Sequence, residues 1–99
     1  ILSPYQVAVF PLVGNKEEIG NKAREVYGML KKNFRTALDE RGNIGKRYFT
    51  QDEIGTPFCV TIDFDTLEDN TVTVRDRDAM TQERVNIADL YAHLSKNLN

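Results

Sequence analysis

The stretch PFCVTIDFDTLEDNTVTVRDRD, residues 57–78, decides the fold of this 99-residue chain. Apolar and polar residues alternate in its first half, as in a strand with one buried face. One face carries Phe58, Val60, Ile62 and Phe64, and the other carries Cys59, Thr61, Asp63 and Asp65. The polar segment TLEDN predicts a five-residue loop, after which Val72 and Val74 mark a partner strand. The stretch therefore predicts an antiparallel hairpin.

The second strand of this hairpin runs out in alternating charges. Because successive side chains of a strand point to opposite faces, we expect Arg75 and Arg77 to share one face. Asp63 and Asp65 on the first strand are their expected cross-strand partners, which would hold the guanidinium groups in fixed positions. A divalent-cation site on the same two carboxylates is the alternative interpretation.

Upstream of the hairpin, the chain predicts a β-helix-β unit. Residues 5–13, YQVAVFPLV, are almost all apolar, as expected of a central strand that is covered on both faces. Apolar residues recur at helical spacing across residues 16–34, which indicates an amphipathic helix. The short segment 35–40 is then a second strand, and a helical connection of this length predicts that the two strands are parallel.

The remaining segments complete an α/β order. Residues 41–45, RGNIG, predict a turn, and the next ten residues predict a short helix that ends near Gly55. The segment TQERVNI, residues 81–87, predicts a further strand, and the last predicted helix follows a candidate cap at Asn86. We therefore predict a three-layer α/β/α domain with a mixed sheet, parallel in its first half and antiparallel in its second.

Composition places the chain in the class of ordinary globular domains. Hydrophobic residues make up 40% of it and charged residues 28%, and its length suits a single domain, residues 1–99. The single cysteine and the lack of a signal peptide or a membrane-length apolar run predict a cytoplasmic protein without membrane contact. The net charge of −2 argues against broad nucleic-acid binding and allows only a local basic patch. Because the chain opens on Ile1, we expect a piece cut from a longer protein.

Catalytic residues are hard to find in this sequence. His93 is the only histidine, and it falls in the closing helix, where a lone histidine is usually solvated. Cys59 falls in the middle of a strand, where a small hydrophobic role is expected. These residues therefore do not suggest nucleophilic catalysis.

A basic patch is the stronger functional signal. The turn GNIGKR delivers Lys46 and Arg47 to a predicted helix start, where free backbone N–H groups favour an anion. Together with Arg75 and Arg77, they would form a basic patch on an acidic domain. Phe64, at the end of its strand, is either a core residue or a ring that stacks on an unpaired base beside these arginines.

Four motifs closely resemble the C-terminal anticodon-binding domain of glycyl-tRNA synthetases, which are class II enzymes. They are GKRY at residues 45–48, DEIG at 52–55, VTIDFDT at 60–66 and RDRD at 75–78, and the first strand and helix also fit. The resemblance implies a five-stranded mixed sheet with about three helices. It also implies a domain without a cofactor or chemistry of its own, in a parent that joins glycine to tRNA with ATP and Mg²⁺ in a separate catalytic domain of the same chain. That parent is expected to be a homodimer.

The resemblance also implies which residues contact RNA. The anticodon contacts carried over by position are Lys46, Phe64 and Arg77, and their expected neighbours are Arg47, Asp52, Glu53 and Arg75. Lysine at position 46 departs from the arginine often found there and lacks its planar fork, so a phosphate contact is implied. The expected partner is the anticodon loop of tRNA(Gly), with cytosines at its second and third anticodon positions.

Three other functions stay open on the sequence. One is an accessory subunit of a mitochondrial DNA polymerase, which uses the same fold, although the DEIG and RDRD motifs argue against it. The second is a small metal-dependent enzyme built on Asp63 and Asp65. The third is a protein-interaction module without RNA binding.

Overall fold

The computed structural model describes residues 5–12, 17–40 and 55–98 of the chain. Its elements, in chain order, are β1 (Val7–Pro11), α1 (Glu17–Leu30), β2 (Thr36–Leu38), β3 (Phe58–Ile62), α2 (Phe64–Asp69), β4 (Thr71–Asp76), β5 (Thr81–Asn86) and α3 (Ile87–Leu98). The predicted first strand, first helix and second strand are confirmed, although α1 ends before the predicted limit at residue 34. The predicted turn at residues 41–45 and the short helix after it lie outside the described residues.

The five strands form one mixed sheet in the order β2-β1-β3-β4-β5. β1 is parallel to β2 and β3, whereas β4 is antiparallel to β3 and β5, which confirms the predicted division of the sheet. A single row of paired residues crosses all the strands: Thr36, Val7, Phe58, Asp76 and Thr81. This row lies at one end of the strands, which we call the Arg77 end of the sheet. The opposite end of the strands, where β3 leads into α2, is the Phe64 end.

Both faces of the central strands are buried. On one face, which we call the helical face, strand residues such as Val60 and Val74 pack with α1 and α3 in a single apolar cluster. On the second face, Ala8, Phe10 and Cys59 form a smaller buried cluster. β1 is buried along its whole length, as predicted for a strand covered on both faces. Cys59 is a buried small residue, as expected, with 1% of its surface exposed.

The connection between β3 and β4 differs from the prediction. The sequence predicted a strand through Asp65 and a polar loop, but β3 ends at Ile62 and a six-residue helix, α2, begins at Phe64. A capping box causes the change, because the Asp63 carboxylate accepts the Thr66 N–H while the Thr66 hydroxyl accepts the Asp63 N–H. The antiparallel pairing of the two strands is as predicted, but Phe64 does not share the face of Ile62, and half of its surface is exposed.

The closing helix α3 begins as predicted. The Asn86 side chain accepts the N–H of Ala88 at 2.9 Å and so caps the helix. Leu90 and Leu94 are fully buried against the helical face, which ties this helix to the sheet. Among the helices of the described ranges, none is long and apolar enough to cross a membrane.

Gly28 offers a simple test of the α1 helix. A Cβ atom built on Gly28 has no atom within 4 Å, and the residue lies inside the helix. We expect Gly28→Ala to raise the free energy of unfolding by about 0.5–1 kcal/mol, because alanine loses less backbone entropy on folding. Urea denaturation measures the change. Gly55→Ala is the contrasting variant and should destabilise, because its φ of +90° strains an L side chain; a stabilising Gly55→Ala would contradict this assignment.

Candidate nucleic-acid interface

Three of the seven predicted RNA contacts lie within the described residues: Phe64, Arg75 and Arg77. The other four, Lys46, Arg47, Asp52 and Glu53, lie outside them. The described part of the site therefore consists of the two ends of the β3–β4 pair and the strand surface between them.

Arg77 lies just past the end of β4, on a well-defined turn. Its backbone N–H donates to the Pro57 carbonyl at 2.9 Å, which extends the β3–β4 pairing by one bond. The Asp76 carboxylate then accepts the N–H groups of Asp78 and Ala79 and so forms the turn. The Arg77 side chain is 43% exposed, and its guanidinium lies 3.4 Å from the Asp78 carboxylate. The guanidinium of Arg77 is therefore accessible, and hydrogen bonds hold the backbone that carries it.

Arg75 has a different environment from Arg77. It is half-buried within β4, on the second face, where its backbone pairs with Cys59 and Gln82. Because β4 ends at Asp76, Arg75 belongs to the strand and Arg77 to the turn that follows it. Of the two, Arg77 is the more accessible.

Phe64 lies at the other end of the sheet. With Leu67 it lines an open depression of about 290 Å³ against the start of α1, where Glu17 and Glu18 lie. Arg77 is hydrogen-bonded to Pro57, just before β3, and Phe64 comes after the end of β3. The five steps from Pro57 to Ile62 alone span about 17 Å at about 3.3 Å per residue. The expectation that this ring lies beside the arginines is therefore wrong. If both residues bind one RNA strand, they contact different nucleotides.

The prediction that Asp63 pairs with Arg75 or Arg77 is also wrong. Its carboxylate forms a bidentate pair with Arg84 on β5, with Nη1–Oδ2 and Nη2–Oδ1 distances of 2.6 and 2.7 Å. Arg75 cannot replace Arg84, because its backbone pairs with Cys59, near the opposite end of β3. The Arg84 hydrogen bonds hold the pKa of Asp63 below its ordinary value, and the carboxylate in turn raises the pKa of Arg84.

Arg84 was missed by sequence reasoning. Arg84 lies in β5, where apolar and polar residues do not alternate clearly, and its contact with Asp63 depends on the pairing of three strands. The capping box at Asp63 and Thr66 is a local signal that could have been read from the sequence.

Charge is distributed unevenly between the two ends of the sheet. Arg35 immediately precedes the first residue of the end row, and its carbonyl accepts the N–H groups of Gln6 and Val7. Three strand spacings, about 14 Å, separate it from Arg77. Lys31 and Lys32 are exposed in the turn that connects α1 to β2 at the same end of the sheet. Around the Phe64 end, the exposed acidic side chains are Glu17, Glu18, Asp65, Glu68 and Asp69. Asp76 and Asp78 also lie at the Arg77 end, but the four cationic side chains there outnumber them, so within the described residues this end is the better surface for a polyanion.

The geometry does not favour the metal-site alternative. Both Asp63 oxygens accept hydrogen bonds from Arg84, and Oδ1 also accepts from Thr66. Within residues 5–12, 17–40 and 55–98, no three or more His, Cys, Asp or Glu side chains are grouped to hold a metal ion. The Asp63 carboxylate is therefore occupied by hydrogen bonds that position α2.

Cys59 and His93 do not form a nucleophile and base pair. Cys59 is buried on the second face, whereas His93 on α3 lines a cavity on the helical face. The His93 Nδ1 atom lies 3.4 Å from the Glu83 carboxylate. The sheet separates the two side chains that could have shared a catalytic role.

Comparison with known proteins identifies the family to which the chain belongs. Residues 6–97 match the family described as Anticodon binding domain. The chain is 56% identical over 97 residues to a glycine–tRNA ligase of Clostridium perfringens and 54% identical over 95 residues to that of Clostridium tetani. These matches cover 98% and 96% of the chain but 20% of each ligase, so the chain spans about a fifth of their length.

Solved structures show the same fold. A prolyl-tRNA synthetase from Cryptosporidium parvum, crystallised with halofuginone and AMPPNP, superposes with a TM-score of 0.88 at 27% identity, over 96% of this chain and 21% of that one. The resemblance drawn from the four sequence motifs and the predicted α/β fold with a mixed five-stranded sheet are both confirmed. The alternatives of a polymerase subunit and a protein-interaction module are not favoured by these matches. This chain belongs to the anticodon-binding domain family.

Proposed function

We propose that the chain is the anticodon-recognition module of a glycine–tRNA ligase and that it binds the anticodon loop of tRNA(Gly). The observation that carries this proposal is the 56% identity to such a ligase across 98% of the chain. The parent enzyme attaches glycine to tRNA with ATP and Mg²⁺ in a catalytic domain elsewhere in the same polypeptide. We further propose that it works in the cytoplasm as a homodimer, and that this domain corresponds to its C-terminal part.

The proposed contacts divide between two ends of the sheet. Arg77 reads an unstacked base at one end, because its fork is accessible and the backbone beneath it is fixed by the bond to Pro57. Phe64 stacks on a different nucleotide at the other end, and Lys46 contacts a phosphate. Four further residues are proposed as neighbours of these contacts: Arg47, Asp52, Glu53 and Arg75.

Electrostatics support this assignment. A domain with a net charge of −2 attracts RNA only through a local cationic surface. Arg35, Lys31 and Lys32 place positive charge on the edge that Arg77 occupies. RNA binding should therefore be weak for the isolated domain and should weaken further as salt is added.

Arg77→Ala tests the proposed reading of a base. We expect wild type to prefer a glycine anticodon stem-loop over one whose two cytosines are replaced, and the variant to lose that preference. The loss should be about 1–3 kcal/mol, the discrimination typical of a good bidentate contact. Fluorescence anisotropy at low salt measures all four combinations.

Arg24→Ala is the matched control for this experiment. Arg24 is also an exposed arginine, but it pairs with Glu40 at 2.9 Å and belongs to α1, away from β4. Its removal should leave the preference for the glycine loop unchanged. Equal binding of both loops by the wild-type chain would count against base reading by this domain.

A further inference from the structure

We propose that Arg84 is a positioning residue for RNA binding, which orients Phe64 through helix α2 without contacting the RNA itself. This inference rests on the proposed function, because it requires that Phe64 meets a nucleotide. Arg84 lies on β5 and is well separated from Phe64 in sequence, and none of the motifs that resemble the synthetases includes it.

The guanidinium of Arg84 has no N–H donor left for RNA. An arginine has five such donors, and here each has an acceptor in the protein. Nη1 donates to Asp63 at 2.6 Å and to the Thr73 hydroxyl at 2.9 Å, and Nε donates to the Thr71 hydroxyl at 2.7 Å. Nη2 donates to Asp63 at 2.7 Å and to the Thr71 carbonyl at 3.2 Å. A phosphate could bind only by breaking one of these bonds.

These bonds tie both ends of α2 to the sheet. At the start of the helix, Asp63 is the cap, and its carboxylate holds Arg84 and the Thr66 N–H together. At the last residue of the helix, the Asp69 carboxylate accepts the N–H and the hydroxyl of Thr71, whose hydroxyl oxygen in turn accepts from Arg84. One guanidinium therefore holds the residues on either side of the helix.

A helix of this length cannot hold its own orientation. α2 has six residues, far fewer than the twelve to fifteen or so at which an isolated helix becomes even marginally stable. Phe64 is its first residue and directly follows Asp63, so the direction of the ring depends on where the Asp63 cap is held. Since half of the ring is exposed, packing against neighbours supplies only part of that restraint.

Arg77 and Arg84 differ in how many of their N–H groups are hydrogen-bonded within the protein. Within the described residues, the Arg77 guanidinium lies 3.4 Å from the Asp78 carboxylate, and 43% of the side chain is exposed. Arg84 is 34% exposed yet fully hydrogen-bonded. Exposure alone would suggest that both meet RNA, whereas the donor count assigns that role to Arg77.

A double-mutant cycle tests the proposal. The variants are Phe64→Ala, Arg84→Met and the double variant, and the measurement is anisotropy with the glycine anticodon stem-loop. We expect each single variant to bind about tenfold more weakly, the size of one lost stacking contact. We expect the double variant to bind no more weakly than Phe64→Ala, within about twofold, because Arg84 acts through the ring.

Charge and folding are separated by further measurements. Arg84→Lys keeps the charge but loses the fork, so it should bind as weakly as Arg84→Met. The salt dependence of binding should keep its wild-type slope, whereas a lost phosphate contact would reduce it by about 0.7. Circular dichroism establishes that each variant is folded, and Asp63→Asn, which keeps a capping side chain but weakens the pair with Arg84, replaces an Arg84 variant that is not.

Each other outcome overturns the inference. Full binding by Arg84→Lys, a reduced salt slope or additive losses in the double variant would make Arg84 a direct RNA contact. Unchanged binding by Phe64→Ala would remove the ring from the interface and the role of Arg84 with it. The proposed function as a whole stands or falls separately, on the Arg77→Ala experiment.

Discussion

Leu90→Ala should lower the free energy of unfolding by about 3 kcal/mol, within the range of 2–5 for buried leucine truncations. Leu90 is fully buried and joins α3 to the apolar cluster of the helical face. Truncation removes three buried carbon atoms and leaves a cavity between the helix and the sheet, which neighbours held by strand pairing cannot fill. Urea denaturation followed by circular dichroism gives the difference from wild type.

Leu67→Ala is the matched control for Leu90→Ala. Leu67 is also a helical leucine, but 39% of its surface is exposed at the Phe64 end of the sheet. Its truncation should cost less than about 1 kcal/mol, because little apolar area returns to water. If the two leucines cost the same, the core of the domain would not be where this fold places it.

Periodicity was enough to predict most of the architecture. β1 is a continuous apolar run, and α1 and α3 repeat apolar residues at helical spacing, so each could be recognised from local sequence alone. A helix between the first two strands implied that they were parallel, and the hairpin implied the antiparallel edge. These elements need no information beyond their own residues and connections.

Helix α2 was missed because two local signals compete. The residues IDFD continue the alternation of β3, which favours a longer strand, while Asp63 and Thr66 favour a helix cap. Asn70 decides the end of the helix by adopting a left-handed conformation with a φ of 59°. The pattern of apolar residues alone predicts neither the helix cap nor this left-handed turn.

The geometry of the site could not be predicted from its motifs. The motifs drew attention to Phe64 and Arg77, but only the strand register shows that the ends of β3 separate them. The partner of Asp63 required the β4–β5 register as well, because Arg84 reaches it across the intervening strand. Contacts that span three strands depend on pairing that no local pattern encodes.

Asp63→Ala should lower the free energy of unfolding by about 2–3 kcal/mol. The change removes the cap of α2, worth about 1 kcal/mol, and the charged hydrogen bonds to Arg84, worth about 1.5–3 kcal/mol in comparable cases. The two contributions overlap, because both depend on the same carboxylate. Asp63→Asn separates them, since asparagine caps a helix well but carries no charge, and it should cost about 1 kcal/mol less than alanine.

The pH dependence of this difference identifies the ion pair. The Arg84 hydrogen bonds lower the pKa of Asp63 in the folded protein below its ordinary value of 3.8. A lowered pKa contributes stability that is fully present above the unfolded value and is lost as pH falls through the folded one. The stability difference between wild type and Asp63→Asn should therefore stay constant from neutral pH to about pH 4.5 and then shrink as the pH falls below 3.8 and through the lower pKa of the folded protein. Urea denaturation of both proteins at each pH measures it, and a difference that persists at the acidic limit would assign the stability to the shape of the side chain, not to its charge.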